Sequence, residues 1–322
     1  MKRAERGAAL LVAMLIMTLV ATFAAAAVWQ QWRAIEVEAA ERSRMQAGWG
    51  LTGALDWARL IIREDSRTGG ADHLAEPWAV PLQEARLSTF LAADRNADTS
   101  GAADDTFLSG SITDAQGLLN LADLVESGSA SRTGTRSFTR LFSLLGLPAS
   151  QVQLLAENMR FASEISTDNQ SASQAPLAPQ RAEQMAWLGV PPSTVAALLP
   201  FVTILPARTP INLNTAPAEV IFAAVDGLTL AEAQEMVARR AQAPFRTLQE
   251  ATQMFPQHTA ALSEGTAAVS TRFFEVTGRL RIDRMVIEER SLLQRDGLDV
   301  RTVWRERGVV DSTSIAQARA NR

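Results

Sequence analysis

The chain has 322 residues, enough for one large or two medium domains, and its 47% hydrophobic and 20% charged content is that of a folded protein. A net charge of −4 argues against a general nucleic-acid binder. There is no cysteine and there are two histidines, His73 and His258, so disulfides, thiolate chemistry and zinc–thiolate sites are excluded and a histidine-based zinc site would need carboxylates to complete it. No nucleophile–histidine–acid order or glycine-rich phosphate loop stands out, and composition does not point to an enzyme.

The first element is a basic leader, Met1–Gly7, carrying Lys2, Arg3 and Arg6 against Glu5. From Ala8 to Trp29 there is no charge, and only Thr18 and Thr22 are polar. At about 1.5 Å per residue this run spans roughly 33 Å, the thickness of a bilayer core. The basic leader places the preceding residues in the cytoplasm and the rest of the chain outside it. Three readings stay open on this segment alone. It is an uncleaved anchor, a secretory signal cut in the small-residue stretch Ala24–Ala27, or a pilin-like leader cut after Gly7 with the apolar helix retained.

The helix is expected to continue past the membrane to about Arg63. Ala47, Gly50, Ala54, Trp57 and Ile61 recur at three- and four-residue steps and mark one apolar face. Gly48, Gly50 and Gly53 cost helix propensity, and close packing against a sheet would account for them. After the Arg67–Gly70 turn the pattern shortens to strands. Leu82–Ala92 and Phe107–Thr113 read as a β-hairpin whose tip, Ala93–Asp105, is rich in Asp, Asn, Gly and Ser.

Ala122–Ser263 has helical character: Phe138–Leu147, Ala149–Phe161, Ala182–Leu188, Pro192–Val202, Ala216–Val225, Thr229–Ala241 and Thr247–Phe255, with a polar linker over Ser163–Gln180. Strands return at Arg272–Ile282, Arg284–Leu293 and Val300–Arg305, separated by turns at Asp283 and Arg295–Gly297, as in an antiparallel meander. A polar tail begins at Gly308. The expected class is α+β. A long N-terminal helix packs on one antiparallel sheet that unites hairpin and meander, with a large all-helical insertion between strands.

That order, with that leader, resembles the K subunit family of type II secretion minor pseudopilins, and the resemblance covers nearly the whole chain. The leader motif is Arg6-Gly7-Ala8-Ala9-Leu10-Leu11-Val12. Further matches are Asp72–Ala79, Ile112–Leu121 and Thr209–Ala216. The resemblance implies cleavage by prepilin peptidase between Gly7 and Ala8, N-methylation of Ala8, and filament packing through Val12, Leu15, Leu19 and Phe23. Most pilin-like proteins carry Glu at the fifth mature position; this chain has Val12, as K subunits do. The missing carboxylate leaves no partner for a neighbour's terminal amine in a low-dielectric core, which suits a filament tip. It divides the chain into leader 1–7, packing helix 8–66, an α/β domain from 67–121 and 266–308, an inserted helical domain 122–265 and a tail 309–322. Implied partners are the I- and J-type minor pseudopilins, the major pseudopilin, prepilin peptidase and the inner membrane, with secretin or secreted cargo beyond the tip. The implied function is capping of a pseudopilus that supports export of folded proteins.

Two further motifs carry alternatives. Residues 209–256 look like a helix-hairpin-helix unit whose turn is Val225-Asp226-Gly227-Leu228-Thr229. As a DNA receptor it would use Gly227, Arg239 and Arg240, but Asp226 repels phosphate, and a helical pair used for packing, with both arginines on a solvated face, is the competing reading. K subunits carry calcium in an acidic loop of the insertion. The corresponding stretch here, Glu157–Gln180, holds only Glu157, Glu164, Asp168 and Asn169 as oxygen ligands. The hairpin tip offers a different calcium candidate in Asp94, Asn96, Asp98 and Asp105, spaced like a calcium loop without its central glycine; a solvated acidic loop is the competing reading. A hydrolase would need a cluster of perturbed carboxylates, tested at Asp94 and Asp98. For His73 a structural role is expected, at a strand edge and bonded to backbone.

Overall fold

The computed structural model describes residues 6–92, 106–163, 175–282 and 285–310. Helix α1 runs unbroken from Arg6 to Thr68. No proline precedes Pro77, and alanine and leucine fill the first half. Thr18 and Thr22 return their hydroxyls to the Leu15 and Leu19 carbonyls at 2.9 and 2.8 Å, so neither exposes an unpaired donor. Gly69 and Gly70 end the helix with φ of +65° and +123°, which side-chain-bearing residues resist.

Five strands form one antiparallel sheet: β1 (Leu82–Arg86), β2 (Thr106–Asp114), β3 (Phe273–Ile282), β4 (Met285–Asp296) and β5 (Asp299–Val310). Their spatial order is their chain order. Hairpin and meander therefore do share a sheet, joined through β2 and β3, whose Gly110 and Gly278 stand opposite each other. The expected first strand is shorter than its pattern. After a bulge between Leu82 and Ala85 it stops at Arg86, and Leu87–Ala92 forms a helical turn, α2. Strand β5 in turn outlasts the expected strand, so Gly308 to Val310 belong to the sheet.

The second half of α1 lies across the sheet. Leu55, Ala58 and Ile62 pack with Trp78, Ile112, Phe274, Val276 and Leu293, and Ala47 and Leu51 with Leu108, Leu280 and Ile287. Each fully buried large side chain contributes about 1.5–3 kcal/mol relative to exposure. A Cβ at Gly50 would stand 3.0 Å from Leu280, so that glycine answers to the sheet; at Gly48 a Cβ would displace only the guanidinium end of Arg307. Gly53 does not: nothing lies within 4 Å of a Cβ there. Trp57, expected on the buried face, is 41% exposed because the sheet meets Leu55 and Ala58 instead.

Between β2 and β3 the chain builds a helical block: α3 (Arg132–Leu144), α4 (Ser150–Ser163), a 3-10 helix Ala182–Leu188, α5 (Pro192–Leu198), α6 (Ala218–Ala224), α7 (Leu230–Gln242) and α8 (Leu248–Met254). Helix α3 begins six residues before its apolar stretch because Ser131 caps it, accepting from the Gly134 amide. Phe138, Leu141, Leu155, Leu188, Ile221 and Met236 belong to a core drawn from residues 119–267. Short parallel pairings, Leu119–Asn120 with Val202–Thr203 and Ile211–Asn212 with Ala267–Ala268, tie its ends together.

Candidate assembly surface and buried polar junction

Residues 9–42 of α1 touch nothing that buries them. This is one helix long and apolar enough to cross a membrane. Val12, Leu15, Leu19 and Phe23 are each more than half exposed. The first charge, Arg33, stacks over Trp29 at 5.0 Å. So large an apolar surface needs lipid or other helices to cover it. Because α1 has no break, whatever holds its first half sets the position of the sheet on its second. Gly7 and Ala8 lie in the first turn. Asp94, Asn96, Asp98 and Asp105 lie outside the described residues, as does most of the polar linker.

The three signature segments meet in space. Asp114 at the end of β2 is buried and accepts from the Gln116 amide at 2.7 Å, Asn212 Nδ2 at 2.8 Å and the Thr215 hydroxyl at 2.7 Å. The same Asn212 amide reaches the Asp72 carbonyl at 3.1 Å. Gln116 donates to the Pro210 carbonyl and accepts from the Arg272 amide. Asn120 holds Ala207 and Leu205. Gln116 of the second motif thus holds backbone of the third, and Asn212 of the third holds backbone of the first, at the point where the helical block leaves and rejoins the sheet. Burial raises the Asp114 carboxyl above its ordinary range against these three donors.

Arg295, which no motif flagged, closes the junction. It donates to Asp65 on α1 at 2.7 Å, to both oxygens of Asp72 at 2.6 and 2.7 Å and to the Thr271 carbonyl at 2.8 Å. Asp65, Asp72 and Glu76 gather carboxylate oxygens within 4.8 Å. With Arg295 between two of them the group is an ion-paired knot, and Glu76 is engaged by the Trp78 indole and the His73 amide. His73 takes the structural role expected, accepting from the Ala75 amide at 3.3 Å, although it lies in a loop and not at a strand edge. Nothing local marks Arg295 or Asp65: they lie 230 residues apart. Asp123 was also unmarked. It accepts from the Thr209 amide at 3.3 Å, and burial pushes it up to about 7.

The helix pair α6–α7 has the expected turn, with Gly227 at φ +81°. Its carbonyls face an arginine: Arg140 donates to Phe222 and Leu228, and Arg136 binds Asp226 at 2.6 Å. Arg239 is exposed and folds back on the Ala243 carbonyl. Arg240 does not lie on a solvated face as expected. It is half-buried against the Leu213 carbonyl, and burial lowers it to about 10.

A membrane-length helix continuous with a sheet-packed helix, interrupted between strands by a helical block, defines a pilin-like subunit. Two models of type II secretion system protein K match, over residues 211–272 and 117–207. Proteins of that name from Pseudomonas aeruginosa and Klebsiella pneumoniae are each 27% identical, over 96% of this chain and 94% and 98% of theirs. One from Pectobacterium carotovorum is 25% identical with the same share of this chain. The fold is similar to a chain in the crystal structure of the GspK-GspI-GspJ complex from enterotoxigenic Escherichia coli, with a TM-score of 0.64, 19% identity, and coverage of 84% of this chain and 98% of that one. In sequence along nearly its whole length, and in fold, the chain is similar to type II secretion system protein K, a minor pseudopilin.

Proposed function

We propose that this chain caps the tip of a periplasmic pseudopilus, limiting its length and supporting export of folded proteins across the outer membrane. The observation that carries the reading is the apolar half of α1, exposed along its whole length and rigidly continuous with the half that holds the sheet. Prepilin peptidase removes residues 1–7, Ala8 is methylated, and the retained helix anchors the protein in the inner membrane with residues after about Arg33 in the periplasm. Val12, Leu15, Leu19 and Phe23 then pack against helices of I- and J-type minor pseudopilins and the major pseudopilin. The similarity to a chain of a K–I–J complex supports that choice of partners. Val12 places no carboxylate where a neighbour's amine would seek one. The helical block makes the tip bulky and obstructs addition above it, toward secretin or cargo. The mechanism is geometry and binding. The DNA-receptor reading loses ground because Arg136, Arg140 and Arg240 are already engaged by groups of this chain.

The test is extraction of the tagged full chain from inner membranes in mild detergent, with an export assay alongside. Co-purification of the I- and J-type subunits, and cargo trapped in the periplasm when the gene is deleted, are expected. Recovery without either subunit, with export unchanged by deletion, would refute the assignment.

A further inference from the structure

The five-stranded sheet has two unlike edges. At one, β1 is five residues long, bulged after Leu82 and followed directly by α2, which leaves a second chain little to pair with. At the other, β5 runs for 12 residues, and among the described residues it pairs with β4 alone. Its outward N–H and C=O groups are therefore open to an added strand. Beside this edge lies a cleft of about 490 Å³, within the range of roughly 300–1,000 Å³ that holds ligands. Met159, Leu205, Pro206, Leu292, Val303 and Trp304 line it. Leu292 and Leu293 are neighbours on β4 and point to opposite faces. Leu293 packs under α1, while Leu292 packs with Leu205 and Trp304, so the cleft lies across the sheet from α1. Val303 is 38% exposed at its rim. The Trp304 indole N–H is buried with no hydrogen-bond partner among the described residues. A buried donor left unpaired is costly, and an arriving carbonyl would remove that cost. The surrounding charges are neutralised within the chain. Arg301 pairs with Asp296 at 3.2 Å, Arg305 and Arg307 with Glu289 at 2.6 and 2.7 Å, Arg208 with Glu126 at 2.5 Å, and Glu306 with Arg181.

We infer that the β5 edge and this cleft form a peptide-binding groove for an exported protein. An extended, uncharged segment of that protein adds to β5 as a further strand, seats an apolar side chain in the cleft and accepts from Trp304 Nε1 through a backbone carbonyl. The inference rests on the assembly reading above and adds the place and mode of the contact. Two observations favour this occupant. The cleft lies across the sheet from α1, where helices packed along α1 do not reach it. Main-chain pairing beside one apolar pocket, with no free charge on the rim, reads an extended chain with little regard to its sequence. Export of more than one protein requires such tolerance.

The test places the photo-crosslinker p-benzoylphenylalanine at Val303 of the full-length protein, in cells that make the I- and J-type subunits and one epitope-tagged exported protein of the same system. Exposed Glu235 on α7, replaced in the same way, is the control. Illumination should join position 303, and not position 235, to the tagged protein. The adduct should fall about tenfold in Ala207→Trp, which plugs the cleft from an exposed position on its wall. It should fall about threefold in Trp304→Phe, which keeps a ring and removes the donor. Both variants should keep the wild-type melting temperature and the recovery of both subunits, so that a lost adduct reports the groove and not the fold. If both subunits are recovered but position 303 gives no adduct with the exported protein, the inference fails while the assembly reading stands. An adduct that Ala207→Trp leaves unchanged, or one formed instead with a subunit or with a second copy of this chain, would also overturn it. If neither subunit is recovered with the wild-type chain, the assembly reading fails first.

Discussion

Arg295 lies 2.6 Å from Asp72, and the pair is almost sealed from solvent, with 10% and 3% of the side chains exposed. Through the same guanidinium Asp65 of α1, the loop carrying Trp78 and the start of β3 are held in one place. The Phe274 ring lies beneath it at 4.9 Å. Removing one partner of such a pair leaves the other charge buried and unpaired. Arg295→Met should cost about 3–5 kcal/mol in urea unfolding. The triple replacement with Asp65→Asn and Asp72→Asn should cost less than the single one. A single variant as stable as wild type would show that the knot is not a stabilising element.

Asp123 gives the fold a pH dependence of predictable sign. Its carboxyl is raised by burial from 3.8 to about 7, against the Thr209 amide and Arg208. The folded state therefore holds this proton more tightly than the unfolded one. That contribution is complete below about pH 4 and is lost as pH rises toward 7. Asp123→Asn imitates the protonated acid and keeps an acceptor for Thr209. Its melting temperature should exceed wild type at pH 8, and the difference should close by pH 4. A constant difference across that range would contradict the assignment.

Of the two cross-strand glycines at the centre of the sheet, Gly110 leaves no room for a side chain. A Cβ at Gly110 would stand 2.7 Å from the Thr277 carbonyl, which is backbone and cannot swing aside. Gly110→Ala should destabilise by roughly 1–3 kcal/mol, read as a lower urea midpoint at unchanged slope. Gly53→Ala is the internal contrast: a Cβ there meets nothing within 4 Å, and the midpoint should rise slightly because alanine favours the helix.

Much of this architecture was legible in the sequence because burial on one face of a strand or helix writes a period. Phe274, Val276, Leu280 and Ile282 alternate as β3 requires, and the two-residue turn at Gly297 and Leu298 marks β4–β5. Periodicity failed where two periods overlap. Leu87 and Leu91 extend an apolar run that began in β1, yet they stand four residues apart and form a helical turn. It failed again on α1, where Trp57 and Ala54 fit an apolar face but the sheet selects Leu55 and Ala58. Arg240 reads as solvated beside Arg239, although its length lets it reach the Leu213 carbonyl. The signature segments were visible as motifs while their purpose was not, because Asp114, Asn212 and Asp72 are joined only by the folded chain. Arg295 carried no local signal, and its partners lie far away in sequence.

If the first half of α1 serves partners and membrane alone, the rest of the fold should not need it. No residue from 9 to 42 is buried. A chain shortened to begin at Arg44 should melt within about 2 °C of the full protein in the same detergent. A substantially lower transition would mean that the exposed half supports the domain.

The most direct test of the account is the intact mass and N-terminal residue of the protein recovered from membranes, with and without prepilin peptidase. The account predicts a methylated Ala8 as the first residue, replaced by the unprocessed chain when the peptidase is absent. A start near Val28 would make the protein a released periplasmic domain, and an intact Met1 in the presence of the peptidase would make it a simple anchor; either would remove α1 from filament packing.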